Sequence, residues 1–164
     1  MAPPGEAHLL AAAASVAGMV RPRYETPQSK AEEDRIASLL ERQWGFEVWK
    51  TRAYCPFDRV MVKDGAVKAF CEIKVRKASY PTYWIGLDKW AALVTYSEAV
   101  EVPCALIVAW PMAGEEAVMA IRVKRGPRAI VMGGRRDRGD PDDIEPMVVL
   151  PIEEFDLIKI GKEK

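Results

Sequence analysis

The residues of this chain best suited to chemistry are carboxylates and lysines. Asp58 stands ahead of an Asp64-Gly65 pair, Glu72-Ile73-Lys74 follows it, and Glu33 lies upstream. On a strand, Glu72 and Lys74 are two residues apart and leave the same face. A hairpin turning at Asp64-Gly65 can bring Asp58 beside Glu72. Two carboxylates meeting there form a hard oxygen site suited to Mg²⁺. Such an ion polarises a phosphodiester oxygen and lowers the pKa of a bound water. Lys74 could orient that water or stabilise the developing charge, and Glu33 could add a ligand directly or through water. Register decides whether this works. A plain two-residue turn would pair Asp58 with Cys71 and point it away from Glu72, because opposed residues share a face. The site therefore requires a three-residue loop or a β-bulge that pairs Asp58 with Glu72.

Composition removes the competing chemistries. The chain has 164 residues, 49% hydrophobic and 29% charged, which suits one domain with a real core. Its single histidine, His8, falls in the N-terminal stretch, so Ser-His-Asp, Cys-His and His-rich zinc sites lack their imidazole. Cys55, Cys71 and Cys104 are odd in number and show no CxxC spacing; buried thiols in a reducing cytosol are expected. Lys plus Arg equals Asp plus Glu, so any nucleic-acid surface must be a local patch. Leu9–Val20 is apolar but too short to span a bilayer and lacks a basic flank. Residues 1–25 read as a flexible extension, 26–164 as a single domain, and the protein as cytoplasmic with no membrane partner.

The elements that must position these residues follow the chain. Thr26 or Ser29 caps a first helix, with Ser29 and Glu32 at capping-box spacing. Ile36, Ala37, Leu40 and Trp44 form its buried stripe, Glu33 lies on the same stripe, and Gly45 ends it. Phe46–Tyr54, Phe57–Lys63 and Val67–Lys77 read as three strands. Ser79–Gly86 reads as a loop, and Leu87 or Asp88 opens a second helix that runs to about Val100. The apolar run Cys104–Trp110 predicts a strand buried on both faces, parallel to the third and joined to it by a right-handed crossover. Strands at Ala117–Lys124, Arg128–Met132 and Met147–Pro151 and a closing helix at Ile152–Ile160 extend this core, with Gly133–Asp143 as a charged loop.

Seven basic residues against three acidic ones fall between Arg59 and Lys89. A basic rim about a carboxylate site would hold a phosphate backbone. Arg76, Lys77 and Lys89 are its candidates, although Lys89 could equally sit near its helix start without reaching the site. Tyr80, Tyr83 and Trp84 could stack on unpaired bases, or serve as core.

The order α-β-β-β-α-β, with an acid on the first helix, Asp at the second strand and ExK on the third, resembles the PD-(D/E)XK nuclease superfamily. The resemblance spans roughly residues 26–111. It is interrupted at Pro56-Phe57-Asp58, where the Pro-Asp dipeptide is split. The second helix, with Lys89 and Trp90, is similar to that of phage nucleases and Holliday-junction resolvases. The resemblance implies a restriction-endonuclease-like α/β core with a mixed central sheet (26–111), extended by C-terminal strands and a short helix (112–164). It implies a Mg²⁺-dependent deoxyribonuclease, with Mn²⁺ able to substitute, that leaves 5′-phosphate and 3′-hydroxyl ends. Asp58, Glu72, Lys74 and Glu33 map to its catalytic positions, and Asp58, Glu72 and the Ile73 backbone carbonyl to its metal ligands. Arg76, Lys77, Lys89 and Tyr83 would face DNA, and a homodimer would supply two sites. Branched DNA is a natural substrate for such an enzyme. The rival readings are a non-catalytic nucleic-acid-binding or assembly module on the same scaffold, and a ribonuclease.

Overall fold

The structure, a computed structural model, describes residues 26–52, 55–112, 115–135, 139 and 143–158. The expected N-terminal extension (1–25) lies outside the described residues, as do Tyr54 at the end of the first expected strand and most of the charged loop after Arg135. Among the described residues, no helix is long and apolar enough to cross a membrane.

Helix α1 spans Pro27–Trp44. Its cap is Thr26, whose hydroxyl accepts the Ser29 N–H while Ser29 Oγ accepts the Thr26 N–H, each at 3.1 Å. The capping box is thus Thr26 with Ser29, not Ser29 with Glu32. Pro27 explains the difference. It occupies the first turn, where a missing N–H costs nothing, and so sets the helix start ahead of Ser29. Glu32 instead pairs with Arg35, which also grips Glu116 of a distant strand. Gly45 closes the helix at φ 64°, a left-handed conformation that a Cβ disfavours.

After α1 come β1 (Glu47–Lys50), β2 (Arg59–Lys63), β3 (Ala66–Val75), β4 (Thr82–Gly86), α2 (Leu87–Val100), β5 (Cys104–Met112), β6 (Glu115–Val123), β7 (Ala129–Gly134), β8 (Ile144–Pro151), a 3₁₀ turn (Ile152–Glu154) and β9 (Asp156–Leu157). Six strands form the central sheet in the order β1-β2-β3-β5-β6-β9. Only β3 and β5 run parallel, joined by the crossover through α2; the other pairs are antiparallel, so the sheet is mixed.

Three departures from expectation stand out, two of them through a second sheet. The stretch read as a loop contains β4, which pairs with β8, and β8 pairs in turn with β7. Tyr83 and Ile85 point into the core while Trp84 stays exposed, an alternation masked by three consecutive aromatic or β-branched side chains. β7 joins this three-stranded sheet rather than prolonging the central one. The helix expected at Ile152–Ile160 is a 3₁₀ turn followed by β9, whose tail is tied by the Ile158 N–H to the Val118 carbonyl. Residues 159 and 160 lie outside the described set.

The layers follow from which faces are apolar. On one side, Ile36, Ala37 and Leu40 of α1 meet Met61, Cys71, Ile73 and Ile107. On the other, Leu106, Val108 and Trp110 meet Trp90 and Leu93 of α2 and Tyr83, Val148 and Leu150 of the second sheet. β5 is apolar on both faces because both are covered, and each side chain buried there is worth roughly 1.5–3 kcal/mol.

Candidate active site

The β2–β3 hairpin sets the site. Asp64 and Gly65 both adopt positive φ (53° and 71°), the two-residue turn whose twist suits a hairpin. Beside it Lys63 pairs with Ala66 and Val62 with Val67, the register that would misplace Asp58. A bulge then intervenes. Met61 pairs with Ala69, leaving Lys68 unopposed, and Arg59 pairs with Cys71. The paired register ends there, and Asp58 stands just beyond its last pair. The main chain holds Asp58 from two sides: its N–H donates to the Cys71 carbonyl at 3.1 Å, and its carbonyl accepts the Thr51 N–H at 3.0 Å. Phe57, which splits the Pro-Asp dipeptide, stacks on Phe70 with ring centroids 4.2 Å apart and anchors the start of β2 in the core.

Four elements converge here. Lys74 Nζ lies 3.1 Å from Asp58 Oδ2, 3.2 Å from Glu72 Oε1 and 3.2 Å from Glu33 Oε1. Because β2 pairs with β3 only as far as Cys71, the end of β3 is open on that side, and Glu33 of α1 reaches Lys74 there. Lys89 does reach the cluster. From the first turn of α2 its Nζ comes within 2.8 Å of Glu72 Oε2 and 4.0 Å of Asp58 Oδ1. A cation at that end of a helix opposes the helix dipole, and Glu72 offsets the cost.

Glu72 is only 4% exposed. Burial, with the nearby Asp58 charge, pushes its carboxyl above the usual range despite Lys74 and Lys89. For Asp58, burial pulls the same way but the two lysines outweigh it, and its carboxyl sits below the usual range. Lys74 is also desolvated, but Glu72, Asp58 and Glu33 together hold its ammonium protonated well above its ordinary range. Two neighbouring acids with opposite shifts and one locked ammonium are the pattern of a functional cluster.

Among the described residues, no group of three or more His, Cys, Asp and Glu side chains stands ready to hold a metal ion, because ammonium groups occupy the space between the carboxylates. The donor set nevertheless fits one. Asp58 and Glu72 offer hard oxygens to the same two cations. The buried Glu72 Oε2 lacks a hydrogen bond, since Lys89 approaches it as an ion pair off the hydrogen-bonding direction. A small divalent ion that keeps several waters needs little more than two such carboxylates. Ile73 lies between Glu72 and Lys74 with its side chain in the opposite core, so only its main chain is available to the site.

The basic rim is smaller than composition suggests. Arg59 is buried beside Asp34 of α1 rather than facing outward. Lys63 sits over the Phe46 ring near the hairpin tip. Arg76 and Lys77 remain exposed at the end of β3, and both line a cavity of about 380 Å³ shared with Glu33 and Lys74. Tyr83 is buried, its hydroxyl accepting a 2.8 Å hydrogen bond from Arg76. Arg59 is a residue that sequence reasoning misplaced; its place two residues before Met61, on the strand face that meets α1, was the available signal.

The family model described as "Phage putative PDDEXK endonuclease" matches residues 19–158. Among solved structures, the chain is similar to Hjc, a Holliday junction resolvase from the archaeal hyperthermophile Archaeoglobus fulgidus. The identity is 17% and the TM-score 0.48, over 75% of this chain and 84% of that one. No curated protein matches the chain.

Proposed function

Because the chain belongs to the phage PD-(D/E)XK endonuclease family, we propose that it is a deoxyribonuclease that hydrolyses phosphodiester bonds with a divalent metal, Mg²⁺ in the cell and Mn²⁺ as a substitute. The observation that carries this reading is the convergence of Asp58, Glu72 and Glu33 on Lys74 within 3.2 Å. Asp58, Glu72 and the Ile73 carbonyl would hold the ion. When bound, it would polarise the scissile phosphodiester and lower the pKa of a water.

The chain's own residues do the rest. Lys74, held protonated by its three carboxylates, is a donor: it orients the attacking water and stabilises charge gathering on the phosphate oxygens. Glu33 fixes the Lys74 ammonium from the α1 side. Lys89, which pairs with Glu72 in the metal-free protein, would be free to meet a phosphate when Glu72 holds the ion. Arg76 and Lys77 extend the positive surface along the backbone of the bound strand. One such site cuts one strand, so cutting both requires two copies of the chain. Three free thiols suit a reducing cytoplasm, that of the host for a phage-encoded enzyme.

The test is incubation of the full chain with supercoiled and branched DNA and Mg²⁺ or Mn²⁺, beside Glu72→Ala and Lys74→Ala. Wild type should nick and the two variants should lose at least about 100-fold in rate, the usual cost of removing a transition-state donor. Equal behaviour of all three proteins would remove these residues from catalysis, and preferential cutting of labelled RNA would make the enzyme a ribonuclease.

A further inference from the structure

A second cavity, of about 440 Å³, adjoins the first. Arg76 lines both, so the two lie next to each other at the end of β3. The walls of the second are Tyr80, Thr82, Tyr83, Trp84 and Trp110. Arg76 and Lys74 are two residues apart on one strand direction, about 6–7 Å. An occupant of the aromatic cavity therefore lies roughly one nucleotide from the carboxylate cluster.

The exposed aromatics here are held in place. Trp84 is 44% exposed, yet its indole N–H donates to Thr82 Oγ1 at 3.1 Å. Its ring also rests on the Gly133 backbone, where a Cβ would stand 2.8 Å from Trp84 Cζ3. Tyr83 forms the floor, with the Arg76 guanidinium 4.8 Å above its ring. Tyr80, 61% exposed, stands at the mouth. Trp110 is 1% exposed, and its indole N–H is buried without a partner. A flat, aromatic, Arg-bordered cavity matches a nucleobase, which brings a π-face.

We propose that this cavity receives one unstacked base of the DNA strand whose phosphate lies at the carboxylate cluster, so that the preferred substrate carries an unpaired base beside the scissile bond. The inference rests on the nuclease reading for its substrate but not for its test. Tyr80 and Trp84 stack on the base, and Arg76 spans the base and the neighbouring phosphate. A fully paired duplex cannot use the cavity without unstacking a base.

The experiment follows the fluorescence of 2-aminopurine in short DNA duplexes, in EDTA, so that no cleavage is needed. One duplex carries the probe unpaired and the other carries it paired. The full chain should quench the unpaired probe and bind that duplex about tenfold more tightly than the paired one, the usual worth of a base–aromatic stack. Tyr80→Ala and Trp84→Ala, both on the surface, should each erase most of that preference and leave binding of the paired duplex unchanged. A wild type that shows no quenching, or a preference that survives both substitutions, overturns the proposal. Tighter capture of the matching RNA overturns its assignment to DNA. A protein that quenches but never cuts with Mg²⁺ or Mn²⁺ supports the base cavity and overturns the catalytic reading. One that cuts without quenching does the reverse.

Discussion

Glu72 illustrates the conflict between holding a fold together and the metal-binding role proposed for it. Its carboxylate is buried beside another carboxylate, and its raised pKa means that ionising it costs the folded state free energy. A group shifted upward favours the fold fully below its unfolded pKa of about 4.3 and loses that contribution as pH rises through its folded value. Asp58, shifted downward, behaves oppositely: its contribution is present above the unfolded value of about 3.9 and disappears as pH falls through the lower folded value. Glu72→Gln should therefore unfold at an equal or higher temperature than wild type at pH 7 in EDTA, with the gap closing toward pH 4. Thermal unfolding across that range checks it, and a Gln variant markedly less stable at pH 7 would show that the Lys74 and Lys89 ion pairs outweigh the burial. At this scale much of the site was legible: Asp58, Glu72 and Lys74 are the residues the spacing picked out. The reach of Lys89 was not, because a helix start three residues from Gly86 says nothing of which strand lies beneath it.

The hairpin decides whether the residues meet. Its turn dictates one register and its site another, and the bulge at Lys68 reconciles them. The alternation of carboxylate and apolar positions was enough to show that a register shift was required, but not whether loop or strand would provide it. The consequence is testable by counting. Deleting Lys68 removes the unopposed residue while Met61 still faces Ala69 and Arg59 still faces Cys71. Metal binding should survive, and melting should change by no more than about 1 kcal/mol, the scale of one cross-strand contact. Loss of metal binding by a folded deletion variant, followed by calorimetry and circular dichroism, would mean that the bend at the bulge aims the carboxylate and not merely its register. β4 failed to show in the sequence for a different reason. Its partner β8 lies more than sixty residues away, and a strand of five residues declares itself through its neighbour rather than through its own composition.

At the scale of the whole molecule, the neutral chain places exposed Arg76 and Lys77 together at one end of β3, beside the carboxylate cluster. With Arg59 buried and Lys63 set over an aromatic ring, exposed Arg76 and Lys77 would carry the proposed contact to phosphate. Lys77→Ala should weaken binding of every DNA sequence alike and reduce the salt slope of log K by about 1; an unchanged slope would place the DNA elsewhere. Strands β1, β2, β3, β5 and β6 of the central sheet, both helices and the parallel β3–β5 pair were legible because their apolar periodicities are long, whereas β9 was read as helix. The second sheet was not, because long-range pairing leaves no local period. The account as a whole stands on Asp58 and Glu72 sharing one divalent ion, and calorimetric titration of Mn²⁺ into the DNA-free protein measures that directly. Wild type should bind at a site that Asp58→Asn and Glu72→Gln each abolish while Lys77→Ala leaves it intact. Undiminished binding by both carboxylate variants would contradict it.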